Sequence, residues 1–276
     1  MAREGESFRD FELDGWEDES VCSDYDAHLA TVTIQSVRAL LDAACVRRGT
    51  RVLDTATGAG YAAAIGAERG AEAIGVDFSV SQVNRARTRY PAVRFEQADA
   101  DALPFPSESF DAVVSSFGMC HFADPDRAVR EAFRVLKPGG RFAFTVWDAP
   151  ENAVGIGAIY AAVRAHGSLD VDLPEGPNFF LFSDPERSKR VVTDAGFESA
   201  SVIQVPQVWR VSSPDELFGA ILHGTVRARA TLRAQSAQAR ETIRAAVHDA
   251  ISRYRLGANY EVPMPAILAS AVKPAR

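Results

Sequence analysis

Cysteine is scarce in this chain of 276 residues: three, Cys22, Cys45 and Cys120, lie far apart and show no metal-ligand spacing. An odd, sparse count argues against a disulfide framework and suits a reducing cytosol, so a cytoplasmic protein without a resident metal is expected. No apolar run approaches the length that spans a bilayer, and no membrane span is expected. The acidic opening, MAREGESFRDFELDGWEDES, lacks the apolar segment of a signal peptide. Positive charge is in deficit, with 30 Lys and Arg against 37 Asp and Glu and a net charge of −7. That field does not favour a polyanion, so the expected partner is a small-molecule substrate, neutral or weakly charged, and not nucleic acid. Repeats and low-complexity tracts are missing too. What is present is ordinary for a globular chain: 47% apolar and 24% charged residues. The length fits one large domain or a domain with a sizeable cap.

Residues 1–24 are polar and acid-rich and read as a loosely structured arm or lid with Trp16 as its one large apolar anchor. The spacing of Leu29, Val32, Val37, Leu40 and Leu41 predicts an amphipathic helix over 25–45. A regular alternation follows, with strands at 51–54, 73–77, 93–97, 110–116 and 140–146 and helices at 61–69, 79–89 and 125–136. Ser79 is a candidate N-cap, and the run from Lys137 to Gly140 is a helix stop and turn. Short buried strands alternating with helices imply a mostly parallel sheet covered on both faces. The second half is less regular: an irregular stretch at 149–178 with a short helical piece, a helix at 184–195 capped by Ser183, a long strand at 197–211, two helices within 214–254 and a final strand at 260–272. Arg227, Arg229, Arg233, Arg240 and Arg244 stud those late helices and read as a solvated face, interrupted by Glu241 and Asp249.

The stretch 51–60, RVLDTATGAG, carries the most chemistry. A short apolar strand ends in Asp54, breaks into a small-residue turn with Gly58 and Gly60, and enters a helix; the next strand ends in Asp77. Such an order builds a nucleotide site, in which glycines let backbone approach the ligand and the acid accepts from ribose hydroxyls. A dinucleotide turn needs G-x-G-x-x-G, and here the glycines alternate with none two residues later. The lysine loop G-x-x-x-x-G-K-[ST] is also absent.

Four blocks in order, VLDTATGAG (52–60), GVDFS (75–79), QADADALPFPSESFDAVV (97–114) and REAFRVLKPGGRF (130–142), resemble the class I S-adenosylmethionine-dependent methyltransferases. The style is that of the small-molecule branch with the ubiquinone and menaquinone biosynthesis C-methyltransferases. The resemblance covers roughly 50–147 and implies an α/β, Rossmann-like seven-stranded sheet in the order 3-2-1-4-5-7-6, strand 7 antiparallel, with helical cap insertions. It implies S-adenosyl-L-methionine as cofactor and S-adenosyl-L-homocysteine as product. Gly58 and Gly60 would pass close to the methionine part, with Asp54 ordering the turn. Asp77 would take the ribose hydroxyls, Phe78 would pack on adenine, and Asp99 would accept from the adenine amino group beside the Ala100 amide. Ser116 and Phe117 would line the methionine moiety, and Tyr25 would close over its carboxylate or simply pack its helix. Ala56 replaces the first glycine of the family's D/E-x-G-x-G-x-G; ordinary backbone angles and an undisturbed cofactor fit are expected there.

On that basis the chain divides into an N-terminal arm and helix (1–45), a cofactor core (46–148), a cap insertion (149–182), a return to the core (183–212), a helical cap insertion (213–258) and a closing core strand (259–276). Both insertions leave carboxyl ends of strands, the side where open α/β sheets bind ligands, and a lid there is expected. Trp147, Leu217, Phe218, Ile221 and His223 are candidate walls of an apolar substrate pocket, although Trp147 and the helix stripe also suit plain packing. His121, just past the fourth strand, is the candidate general base, with packing or helix capping as the alternative; His166 and His223 are weaker candidates. The expected reaction is methyl transfer to O, N or C of a small hydrophobic metabolite. The alternative is a non-methylating step, such as cyclisation, on the same fold. Monomer and homodimer both remain open.

Overall fold

The computed structural model describes residues 7–275; residues 1–6 of the N-terminal arm lie outside them. Ten strands follow in chain order: β1 Arg51–Thr55, β2 Glu72–Asp77, β3 Arg94–Gln97, β4 Phe110–Ser116, β5 Leu136–Trp147, β6 Glu198–Val205, β7 Val208–Val211, β8 Arg255–Leu256, β9 Asn259–Pro263 and β10 Ala266–Val272. They form a seven-stranded sheet, β3-β2-β1-β4-β5-β10-β6, and a three-stranded sheet, β7-β9-β8. In the large sheet β1 runs parallel to β2 and β4, and β10 pairs antiparallel with β6. The Rossmann-like order expected from the resemblance is therefore present, with β10 in the seventh-strand position.

The chain forms two compact units. One comprises Thr33–Val146, Pro177–Val205 and the described residues from Ala266 onward, and contains the large sheet. Its strands alternate sides. Leu53, Val113, Phe142, Phe144 and Ile267 meet helices Pro125–Val135 and Pro185–Asp194, whereas Val52, Ala112, Val114, Ala143 and Leu268 meet helices Val37–Ala43 and Tyr61–Glu68. Period-two apolar strands buried on both faces are what a helix-covered parallel sheet requires. Helix Val80–Arg89 lays Val83 and Ala86 against Phe95 of β3.

The other unit gathers the described residues through Val32, Trp147–Gly176 and Pro206–Pro265. It holds the small sheet and helices Phe8–Glu17, Glu19–Ala27, Val154–His166, Pro214–Gly224, Arg227–Ala234 and Ala237–Ser252. Trp209, Leu217 and Met264 crowd around Gly155, where a Cβ would lie 2.9 Å from the Met264 sulfur. Gln235 bonds Ser168 in both directions, through Oε1 to its N–H (2.9 Å) and Nε2 to its carbonyl (2.8 Å).

Several elements differ from the sequence reading. Residues 8–27 are two helices and not a loose arm, because Ser7 and Asp18 cap them and Phe8, Glu12 and Trp16 form a buried stripe. The single helix expected over 25–45 is broken into Ala30–Thr33, a 3₁₀ turn at Ile34–Ser36 and Val37–Ala43. The strand expected at 197–211 splits into β6 and β7 at Pro206, and the one at 260–272 splits into β9 and β10 around Pro265; proline cannot donate to a ladder. Three helices, not two, fill 214–252, since Ser236 caps a fresh start. Asp184, not Ser183, caps helix Pro185–Asp194. Lys137–Gly140 opens β5, where Gly139 (φ +78°) donates to the Lys273 carbonyl. The late arginines are not a merely solvated face: Arg229 pairs with Asp18 at 3.0 Å, Arg244 with Asp215 at 2.7 Å, and Arg240 donates to two carbonyls.

Candidate active site

β1 delivers Asp54 into a fully buried position at its carboxyl end. Oδ2 accepts from the Thr57 hydroxyl (2.6 Å) and the Ala63 N–H (3.0 Å), which folds the turn back onto the first turn of helix Tyr61–Glu68. Oδ1 is buried and has no hydrogen-bond partner. Burial raises the Asp54 carboxyl to about 7, against the lowering effect of Thr57 and Ala63 and with a further push from the Asp77 charge. Gly58 (φ +53°) and Gly60 (φ +89°) take left-handed conformations. A Cβ on Gly60 would strike the Phe95 ring at 2.7 Å, whereas one on Gly58 would meet nothing within 4 Å. Gly60 is needed for packing; Gly58 faces open space.

Asp77 closes the arrangement from β2: its Oδ2 accepts from the Gly58 N–H at 2.8 Å and its Oδ1 from the Ser79 N–H at 3.0 Å. Ser79 in turn caps helix Val80–Arg89 by accepting from Gln82 N. Phe78 follows, its carbonyl held by Gln97 Nε2 (3.0 Å), and Asp99 and Ala100 follow β3, with the Asp99 carbonyl accepting from Ala102 N. The segment after them is braced from below. Arg134 donates to the carbonyls of Leu103 (2.9 Å) and Phe105 (2.8 Å), and Glu131 accepts from Leu103 N (2.9 Å). Arg134 holds the Glu131 carboxyl below its ordinary value despite partial burial. This brace ties the LPF segment to the REAFRVLKPGG segment.

At the end of β4, Ser116 is half-buried and Phe117 is buried with φ +59°, its N–H bonded to Thr145 O at 3.0 Å. Ala56 is not in an ordinary conformation: its φ is +52°, which for a residue with a Cβ costs about 1–2 kcal/mol. The expectation of ordinary angles fails because the turn keeps the geometry that glycine would adopt. Compensation lies at Gly118, where an added Cβ would come within 2.6 Å of the Ala56 methyl. Sequence reasoning missed Thr57, which lies inside the VLDTATGAG block, and Gly118, which lies just past the QADADALPFPSESFDAVV block. His121 is half-buried in the 3₁₀ turn Met119–His121 beyond β4, edge-on to the Phe179 ring at 6.2 Å.

The remaining candidates belong to the other unit. Tyr25 stands edge-on to Trp16 at 5.4 Å, and Trp147 is 5% exposed. Leu217, Phe218 and Ile221 are buried in helix Pro214–Gly224, on which His223 is exposed; His166 is exposed at the end of helix Val154–His166.

Two acids, one with an unpaired buried oxygen, suit a ligand that brings cationic groups and hydroxyl donors; a pyrophosphate beside them would be repelled. S-adenosylmethionine has a sulfonium, an ammonium and ribose hydroxyls, so the donor set fits it. A family described as a methyltransferase domain matches residues 53–144. The demethylmenaquinone methyltransferase of Thermus thermophilus is 42% identical over 178 residues, 58% of this chain and 80% of that protein. The chain belongs to the class I S-adenosylmethionine-dependent methyltransferases. The methyltransferase UbiE of ubiquinone and menaquinone biosynthesis from Serratia proteamaculans is 34% identical over 183 residues, 59% of this chain and 72% of that protein. Among solved structures, phosphoethanolamine N-methyltransferase 2 of Haemonchus contortus, in complex with S-adenosylhomocysteine, matches with a TM-score of 0.59 at 20% identity. That match covers 99% of this chain and 61% of that one and bears on the fold. The methyltransferase is therefore an enzyme whose cofactor is S-adenosylmethionine. No helix among its described residues is long and apolar enough to cross a membrane, and no group of three or more His, Cys, Asp or Glu among them is placed to hold a metal ion.

Proposed function

We propose that the enzyme methylates carbon or oxygen of a small, largely apolar acceptor of the phenol or quinol type. The observation that carries this reading is the identity to demethylmenaquinone methyltransferase over 178 residues, reinforced by an acidic chain with no field to attract polyanions. The cofactor supplies an electrophilic methyl group. Asp77 accepts from the ribose hydroxyls, with its carboxylate already aimed by Gly58 and Ser79 N–H groups. Phe78 packs on the adenine, Asp99 accepts from its amino group, and the Ala100 amide lies alongside. Asp54, Ala56, Gly58 and Gly60 form the wall for the methionine part, and Ser116 and Phe117 continue it. His121 accepts the acceptor's hydroxyl proton, raising electron density at the attacking atom; its half-buried place beyond the carboxyl end of β4 supports that role.

The decisive experiment incubates enzyme, S-adenosylmethionine and a panel of naphthoquinols, phenols and amines, and follows products by mass spectrometry. A mass gain of one methylene with stoichiometric S-adenosylhomocysteine is expected for a quinol or phenol. Product formed equally well with S-adenosylhomocysteine in place of the donor would overturn methyl transfer in favour of a non-methylating reaction.

A further inference from the structure

The large-sheet unit has a concavity at the ends of its strands opposite Asp54. A cavity of about 550 Å³ lies where β1, β4 and β5 begin, lined by Cys45, Arg47, Arg48, Thr50, Asp111 and Arg141 among others. Asp54 lies four β-strand residues beyond the lining Thr50, about 13 Å away, so a small anion bound there does not touch the cofactor turn. Three arginines, Arg47, Arg48 and Arg141, line this cavity in a chain whose net charge is −7. None of their guanidinium groups has a hydrogen-bond or ion-pair partner among the described residues. The one lining carboxylate does not neutralise them: Asp111 Oδ1 is taken by Lys137 Nζ (2.7 Å) and Oδ2 by Arg51 N (2.8 Å).

The wall is built. Arg47 N donates to Thr50 Oγ1 (3.1 Å) and Thr50 N to the Arg47 carbonyl (3.0 Å), closing a tight turn that Gly49 N ties to Gly70 O (2.9 Å). The Arg48 stem lies across Gly70, where an added Cβ would meet its Cγ at 3.2 Å. Arg141 is fixed by its place in β5 opposite Ala112. Gly49 and Gly139, also in the lining, leave open space where a side chain would stand. Unpaired guanidiniums around a concavity bind oxyanions through forked, charge-assisted hydrogen bonds, and three of them favour a multivalent anion over a monovalent one.

We propose that this cavity is a binding site for a small phosphorylated anion carrying a diphosphate or its equivalent in charge.

Cys45 is a native reporter, because it is the exposed thiol in the lining whereas Cys22 and Cys120 are buried. The full chain is treated with N-ethylmaleimide, a neutral reagent, with increasing inorganic pyrophosphate or ADP, and Cys45 labelling is followed by peptide mass spectrometry beside calorimetric titration. Saturable protection of Cys45 by both ligands is expected, stronger than by sodium chloride at matched ionic strength. Arg48→Gln and Arg141→Gln should each weaken binding about tenfold, the loss of one charge-assisted contact, with unchanged unfolding midpoints in the absence of anion. Similar affinities for pyrophosphate and ADP identify free diphosphate chemistry; a preference for ADP identifies a nucleotide held by its phosphates. Non-saturable protection that sodium chloride reproduces would overturn the proposal. So would affinity that survives both substitutions, or tight binding of an oligonucleotide without any pyrophosphate effect.

Discussion

In the large-sheet unit the buried acid Asp54 of β1 keeps bonding capacity in reserve: its Oδ1 has no partner, and Gly58 nearby faces open space. In the helical unit the acids Asp18 and Asp148 and the amide of Gln235 commit theirs to the fold, although Gln207 Oε1, Arg227 Nη1 and Arg229 Nε are buried there without a hydrogen-bond partner. Gln235 clamps Ser168 and also donates to the Thr231 carbonyl, Asp148 accepts from Ala149 N and Asn152 Nδ2, and Asp18 caps a helix while pairing with Arg229. Desolvated polar groups are costly unless paired, so the unpaired Asp54 oxygen beside the open Gly58 is accounted for if a ligand supplies the missing donor. The two units thus differ in where the bonds of their buried acids end.

Substitutions test that difference. Asp77→Ala removes two charge-assisted acceptor bonds to the ribose, and cofactor affinity should fall roughly thousandfold by calorimetry. Unchanged affinity would refute the ribose assignment. Leu217→Ala addresses the frame: this side chain is fully buried beside Trp209 and Met264, so unfolding stability should drop by about 3 kcal/mol. A raised acceptor KM with no loss of stability would instead make Leu217 a pocket wall. His121→Ala should lower turnover by about a hundredfold near neutral pH while leaving cofactor affinity intact; full activity across the pH range would remove it as the base.

The fourth test uses pH. The folded value of Asp54, about 7, lies above its ordinary 3.8, so the folded chain holds this proton more tightly. Its contribution to stability is full below about pH 4 and is lost as pH rises through about 7. Asp54→Asn, which keeps an acceptor for Thr57 and Ala63, should erase that slope and melt a few degrees higher than the parent at pH 8. A slope identical in the two proteins would contradict the burial argument. The smallest effect belongs to Ala56→Gly, which should stabilise by about 1 kcal/mol by relieving the left-handed alanine; a destabilised variant would mean that the methyl packing near Gly118 outweighs the strain.

The large sheet was legible in the sequence because its strands are short, apolar and punctuated, and its order came with the four resembling blocks. The helical unit was not. Phe8, Glu12 and Trp16 form its first inward stripe, and the acid in the middle, bonded to Trp16 Nε1 at 3.2 Å, hides the helix from any apolar periodicity. The alternation through 197–211 continues across Pro206, so pattern alone could not reveal that β6 and β7 serve different sheets. At the candidate site, Asp54 and Asp77 stood out by residue type, whereas the strain at Ala56 could not, since alanine carries no sign of a positive φ.

β10 lies between β5 and β6 in the large sheet, although residues 206–265 precede it in the chain. On the ribosome, β6 therefore emerges long before the neighbour it pairs with, and waits through the synthesis of an entire sheet and three helices. The large sheet cannot join β5 to β6 until residues 206–265 have been made. Assembly of this enzyme is set by translation order as much as by local preference, and a stalled or nicked chain lacking β10 would present β5 and β6 as open edges.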